Sequence, residues 1–244
     1  MSGAPWGGPG APGPVALVGS GEYLPAMHEV EARLLDGRAP RYVQLATAAA
    51  PEGQRSLARW HELGRRAAER LGVEQVVVPV VDRVSADDPG LAALVEGAGL
   101  VYLSGGNPKF LAETLRGTAV WAAIEREWRA GAALAGCSAG AMALCGSVPD
   151  VRHPLSGHVE GLGVLPGLAV VPHFDRFGAR LLGSVVGHQR DPGAVVVGID
   201  EDTALVGGPS RWDVVGRAAA WLLLDHGRQE HLVGTSVEVH GLRA

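Results

Sequence analysis

Apolar residues are distributed along this chain in two alternating patterns. Short runs of mostly apolar residues, four or five long, are separated by stretches whose apolar positions recur at helical spacing. The runs Val15–Val18, Arg41–Leu45, Val76–Val80, Leu100–Leu103 and Ala132–Ala135 read as strands buried on both faces. Between them, Met27–Leu35, Glu52–Leu71, Leu91–Gly97, Lys109–Arg116 and Val120–Arg129 read as helices. The longest of these sets Leu57, Trp60, Leu63, Ala67 and Leu71 along one face. Pro108 opens the fourth, at a position where a helix has no use for an N–H. Two later runs, Leu168–Val171 and Val195–Ile199, are further buried strands.

From Ala204 onward the pattern changes. Leu205-Val206, Trp212–Val215, Ala219–Leu224 and Val237–Val239 are short β-like runs between glycine turns, which predict an antiparallel extension. No internal repeat is evident. Strand–helix alternation of this kind predicts an α/β fold, a mostly parallel sheet with helices on both faces.

The length of 244 residues suits one large α/β domain or two small ones. A hydrophobic fraction of 47% with 36 glycines favours a compact, turn-rich globular protein over a disordered one. Residues 1–14, rich in Gly, Pro and Ala, are expected to form a flexible tail, and 15–244 a single domain. The tail has neither the basic start nor the apolar core of a signal peptide. No apolar run approaches the roughly 20 residues of a membrane span.

A net charge of −5 with no basic stripe argues against nucleic acid as a partner. The cluster Arg65-Arg66 with Arg70 lies on a helix and reads as a solvated face. Two cysteines, Cys137 and Cys145, flank one short helix, so both are expected buried and reduced. They imply no disulfide framework, which fits a cytoplasmic protein. A homodimer is the commonest assembly for such a chain.

The candidate chemistry centres on Gly136-Cys137-Ser138-Ala139-Gly140. An apolar strand leads into it and small helix-forming residues, Ala141–Leu144, follow. A strand that turns abruptly into a helix holds the central side chain strained and exposed, with glycines where the backbone passes close to its neighbours. A glycine-rich packing turn between strand and helix would use the same residues.

Parallel α/β sheets place ligands beyond the carboxyl ends of their strands. Four features stand at such ends: Ser104-Gly105-Gly106, Ser138, His173 and Asp200-Glu201. A serine hydroxyl needs a base to take its proton, and His173 is the natural choice. A carboxylate fixes the imidazole tautomer, a role assigned to Glu201. The backbone N–H groups of Gly106 and Ala139 complete an oxyanion hole.

Each feature also has an ordinary reading. A histidine after a strand is often structural, Asp200–Asp202 could be an acidic loop or cap, and Gly105-Gly106 a plain turn. Asp150, Glu160 and Asp175 are rival carboxylates. The spacing of Asp150, His153 and His158 defines no metal site, and the mechanism needs neither metal nor cofactor.

These residues resemble those of the S51 serine peptidases, the group containing aspartyl dipeptidase (peptidase E) and cyanophycinase. The matching segments are Ser104–Asn107, Gly136–Ala141, Gly161–Leu165 through Pro172-His173-Phe174, and Gly198–Ala204, in the family's order. The resemblance covers nearly all of Val15–Val239. It implies a Ser138–His173–Glu201 triad and a fold similar to class I glutamine amidotransferases, whose elbow carries a cysteine. Here Ser138 holds that place, and Cys137 stands one position earlier, pointing away.

Where cyanophycinases carry glutamine, before the histidine and after the Gly-Gly turn, this chain has Pro172 and Pro108. Asn107, Arg176 and Arg180 are candidates for holding the substrate, with Arg190 a further partner for a carboxylate. The expectation is a single-domain serine hydrolase that cleaves small peptides through an acyl-enzyme, as a dipeptidase or a cyanophycinase-like enzyme. The alternatives are an amidase or esterase using the same triad, or a non-catalytic binding protein of this fold. The short spacing from Ser138 to His173 does not suit the true α/β-hydrolase fold.

Overall fold

The computed structural model describes residues 10–149, 158–178, 193–224 and 227–239. Its strands are β1 (Val15–Val18), β2 (Arg41–Leu45), β3 (Glu74–Val77), β4 (Leu100–Leu103), β5 (Ala133–Cys137), β6 (Ser147–Pro149) and β7 (His158–Glu160). There follow β8 (Leu168–Val171), β9 (Val195–Ile199), β10 (Thr203–Gly207), β11 (Arg211–Gly216), β12 (Ala219–Leu224), β13 (Gly227–Leu232) and β14 (Ser236–Glu238). The helices are α1 (His28–Leu35), α2 (Gln54–Leu71), α3 (Arg83–Ala86), α4 (Pro89–Ala93), α5 (Pro108–Leu115), α6 (Ala119–Arg129) and α7 (Ala139–Ala143).

Eight strands form the main sheet in the order β14-β11-β10-β1-β5-β4-β2-β3. The five from β1 to β3 in that order run parallel, and β10, β11 and β14 add antiparallel strands beside β1. Side chains alternate across the sheet. Ala16 and Val18 pack under α1 and α2 with Met27, Val30, Leu34, Ala67 and Ala68. Val15 and Leu17 face the other side, where α3, α5, α6 and α7 contribute Ala86, Leu111, Trp121, Ile124 and Ala141. Both faces are therefore covered, which is why the parallel strands read as unbroken apolar runs.

Leu168–Val171 and Val195–Ile199 do not join this sheet. They pair parallel to each other as β8 and β9 in a second, four-stranded sheet, β13-β12-β9-β8. Its inner face shares the main core through Leu168, Val170, Val197 and Ile199, and its outer face is covered by Phe174. A buried apolar run looks the same in either sheet, so sequence pattern does not assign it to one. The turn after β9 carries the chain back to β10, beside β1. Gly19 N–H donates to the Thr203 carbonyl at 2.9 Å, which extends the β1–β10 ladder by one rung at the carboxyl end of β1.

Several boundaries move for local reasons. β3 ends at Val77 because Pro79 has no N–H to offer a ladder. The long helix starts at Gln54, after a 3-10 segment, Thr47–Glu52, and Gly53 at φ 90°. Asp88 caps α4 by accepting from Gly90 N–H, which moves that helix forward to Pro89. Gly13 N–H donates to the Trp128 carbonyl and Trp128 Nε1 donates to the Gly13 carbonyl, both at 2.8 Å. The last residues of the expected tail are thus tied to α6.

Candidate active site

Ser138 stands between β5 and α7 with φ 48° and ψ −105°, a backbone conformation that an L-residue holds only under constraint. The constraint comes from its neighbours. A Cβ on Gly136 would sit 2.4 Å from the Gly140 carbonyl carbon, and one on Gly140 would sit 2.2 Å from the Leu103 carbonyl oxygen. Strand and helix therefore cross at van der Waals limits, and only glycine fits. Ser138 N–H donates to the Val18 carbonyl at 2.8 Å, pinning the turn to β1.

The second sheet supplies the partners. β8 and β9 are adjacent and parallel, so the residues after their carboxyl ends are neighbours. His173 Nδ1 lies 2.9 Å from Glu201 Oε1, and His173 Nε2 lies 3.1 Å from Ser138 Oγ. With Nδ1–H donating to the carboxylate, Nε2 is left as the acceptor for the serine hydroxyl. His173 itself has φ 49°.

Glu201 is only partly buried, which opposes ionisation. Hydrogen bonds from His173 and Arg176 outweigh that and hold its carboxyl below the ordinary range. Arg176 reaches Glu201 Oε1 at 3.3 Å, so its guanidinium is engaged with this carboxylate. Asp175 accepts from Glu201 N–H at 3.0 Å and fixes the loop.

The other acidic residues are occupied elsewhere. Asp200 accepts from Trp221 Nε1 at 2.9 Å and Ala219 N–H at 3.2 Å, while burial pushes its carboxyl up. Asp202 pairs with Arg217, and Glu160 with Arg116. Asp150, His153, Arg180 and Arg190 lie outside the described residues.

The loop after β4 completes the rim. Gly106, at φ 140°, packs against the Ala48–Ala49 peptide, and its N–H has no acceptor among the described residues. Ala139 N–H opens the first turn of α7, beside Ser138. Asn107 serves as the cap of α5, its Oδ1 accepting from Phe110 N–H at 3.0 Å.

Behind the loop lies Glu22, a buried residue that sequence reading missed. Its Oε1 accepts from Gly105 N–H at 2.8 Å and its Oε2 from the Cys137 thiol at 2.7 Å. The available signal was its place after the Gly19-Ser20-Gly21 turn at the carboxyl end of β1, the strand next to β5. Cys137 points away from the site, and both cysteines are buried and unpaired. A cavity of about 160 Å³ opens beside Ser138, with His173 and Gly106 on its polar side.

The sequence model of peptidase family S51 matches residues 17–211. The chain belongs to this family of peptidases. Cyanophycinases from Trichormus variabilis and Thermosynechococcus vestitus are 31% identical over 196 residues and 30% over 165. Those alignments take in 73% and 63% of this chain but only 64% and 50% of the relatives, so the chain spans less than two thirds of their length.

The crystal structure of a peptidase from an acI-B1 actinobacterium superposes with a TM-score of 0.85 at 38% identity, over 96% of this chain and 99% of that one. A candidate peptidase E from Listeria monocytogenes shares the fold, with a TM-score of 0.57 at 17% identity, over 92% of this chain and all of that one. The architecture is the class I glutamine amidotransferase-like α/β fold.

Proposed function

We propose that this chain is a serine peptidase that hydrolyses small peptides through an acyl-enzyme, with Ser138, His173 and Glu201 as its triad. The observation that carries the reading is the continuous contact from Ser138 Oγ through both ring nitrogens of His173 to Glu201. Membership of a peptidase family supports amide hydrolysis as the reaction.

Ser138 Oγ attacks the scissile carbonyl carbon while its proton passes to His173 Nε2. The carbonyl oxygen becomes an oxyanion, received by the N–H groups of Gly106 and Ala139. Collapse of the tetrahedral intermediate breaks the C–N bond, and the imidazolium returns its proton to the departing amine. Water, deprotonated by His173, then attacks the ester and restores Ser138. Glu201 holds the Nδ1–H and stays ionised throughout, which stabilises the imidazolium. The two reduced, buried cysteines support action in the cytoplasm. No helix among the described residues is long and apolar enough to cross a membrane.

The test is labelling by a fluorophosphonate together with hydrolysis of a dipeptide panel containing Asp-Xaa, Arg-containing and β-aspartyl members. Cleavage by wild type that is lost in Ser138→Ala is the expected result. Labelling without cleavage of any peptide would redirect the reading to an esterase or another amidase. Neither labelling nor cleavage would leave a binding protein.

A further inference from the structure

Away from Ser138 and His173, the described walls of the cavity beside Ser138 are apolar. Pro108, Met142, Val170, Val171 and Phe177 line it, and apart from His173 none of its described lining residues carries an ionisable side chain. Met142 rises from α7, one turn after Ser138, and Val170 and Val171 come from β8, just before His173. The cavity is thus built by the same two elements that present the nucleophile and the base. A substrate carbonyl held over Ser138 would have this cavity beside it as a place for a neighbouring side chain. The Arg176 guanidinium, which could have met an acidic side chain, is drawn to Glu201.

Size points the same way as lining. The volume is about 160 Å³. An enclosed apolar cavity of roughly 150 Å³ accepts a molecule the size of benzene. That is room for one branched aliphatic or phenyl side chain. An ionised carboxylate or guanidinium entering it would shed its hydration and meet no opposite charge among the described lining residues.

We infer that the enzyme selects substrates with an uncharged apolar side chain, leucine- or phenylalanine-like, beside the scissile bond, and that Met142 and Phe177 set that preference. The inference rests on Ser138 being the nucleophile.

It is tested with diphenyl aminoalkylphosphonates, which phosphonylate an active serine and carry one amino-acid side chain each. The rates of Ser138 labelling by the leucine and phenylalanine analogues are compared with those by the aspartate and arginine analogues, alongside a small alkyl fluorophosphonate. The apolar analogues are expected to react at least about tenfold faster, since even a single methylene in an apolar pocket discriminates by about 10-fold or more.

Phe177 is 44% exposed, so Phe177→Ala tests the wall without opening the core, and it should reduce that ratio. Met142→Ala enlarges the cavity and should favour the phenylalanine analogue over the leucine one. Equal rates, or faster reaction of a charged analogue, would overturn the inference while leaving the serine peptidase reading intact. The same holds if only the fluorophosphonate labels. Failure of every probe to label Ser138 would overturn both.

Discussion

Glu22 ties the Gly105-Gly106 loop to the back of the turn that carries Ser138, and its removal has consequences that can be sized. In Glu22→Ala the Gly105 N–H loses its acceptor within the buried core, at a cost of roughly 1–3 kcal/mol. The Cys137 thiol, a weaker donor, loses its partner too. Together a loss of about 2–4 kcal/mol is expected, which for a domain of this size lowers Tm by roughly 4–16 °C.

The catalytic effect is separate. Freed from Glu22, the Gly105-Gly106 peptide can shift, and a misplacement on the order of 1 Å at a reacting group costs about 10²-fold in rate. Glu22→Gln keeps an oxygen for Gly105 N–H, so it should recover most of the turnover while remaining somewhat less stable. The assays are thermal unfolding and kcat/KM on the best peptide found, with all three proteins compared at temperatures where each is folded. A Glu22→Ala enzyme with unchanged Tm and turnover would refute the reasoning. One that is destabilised but fully active would confine Glu22 to a structural part.

Further outcomes follow from other residues. Glu201→Gln should lower kcat/KM by up to about 10⁴-fold, because the amide can favour the wrong tautomer of His173, with little change in Tm. Gly136→Ala should both unfold earlier and lose activity, since its Cβ would collide with the Gly140 backbone at 2.4 Å; retained activity would mean the elbow can yield.

Glu31 offers a pH test. Burial pushes its carboxyl up to about 7 from an ordinary 4.5, against hydrogen bonds from Tyr23 N–H and Tyr42 Oη. The folded state therefore prefers the protonated form, and that advantage is complete below pH 4.5 and lost as pH rises through about 7. Glu31→Gln should accordingly gain on wild type between pH 5 and 8, by at most on the order of 3 kcal/mol, as read by chemical denaturation. A constant difference across that range would exclude Glu31 as its source.

The elements that bury a regular face were legible in the sequence, and those that do not were not. β1, β2, β4 and β5 announce themselves as apolar runs because both their faces are covered. β13, Gly227–Leu232, escaped notice because it is an edge strand whose residues are mostly exposed and polar, Arg-Gln-Glu-His at its centre. Ser138, His173 and Glu201 could be proposed together because each follows an apolar run, and the carboxyl ends of such runs meet at a rim. That the rim is assembled from two sheets could not be read, since periodicity reports burial and not partners. Glu22 was invisible for a related reason. A carboxylate just after a Gly-Ser-Gly turn looks solvated until the fold closes over it.

On the proposed triad, the division of the site between two sheets makes turnover a sensor of alignment. One plate carries Ser138 and Gly106, the other His173 and Glu201, and each pair is built from adjacent strand ends of its own plate. A small slip between the plates would leave both pairs intact and still separate the hydroxyl from its base. Heating should therefore extinguish turnover before it melts secondary structure, and the gap between the two temperatures would measure the stiffness of the seam. The turn from β9 to β10, Asp200 to Asp202, is where the chain itself crosses that seam. On the proposed triad, the temperature at which activity fails is set at that junction.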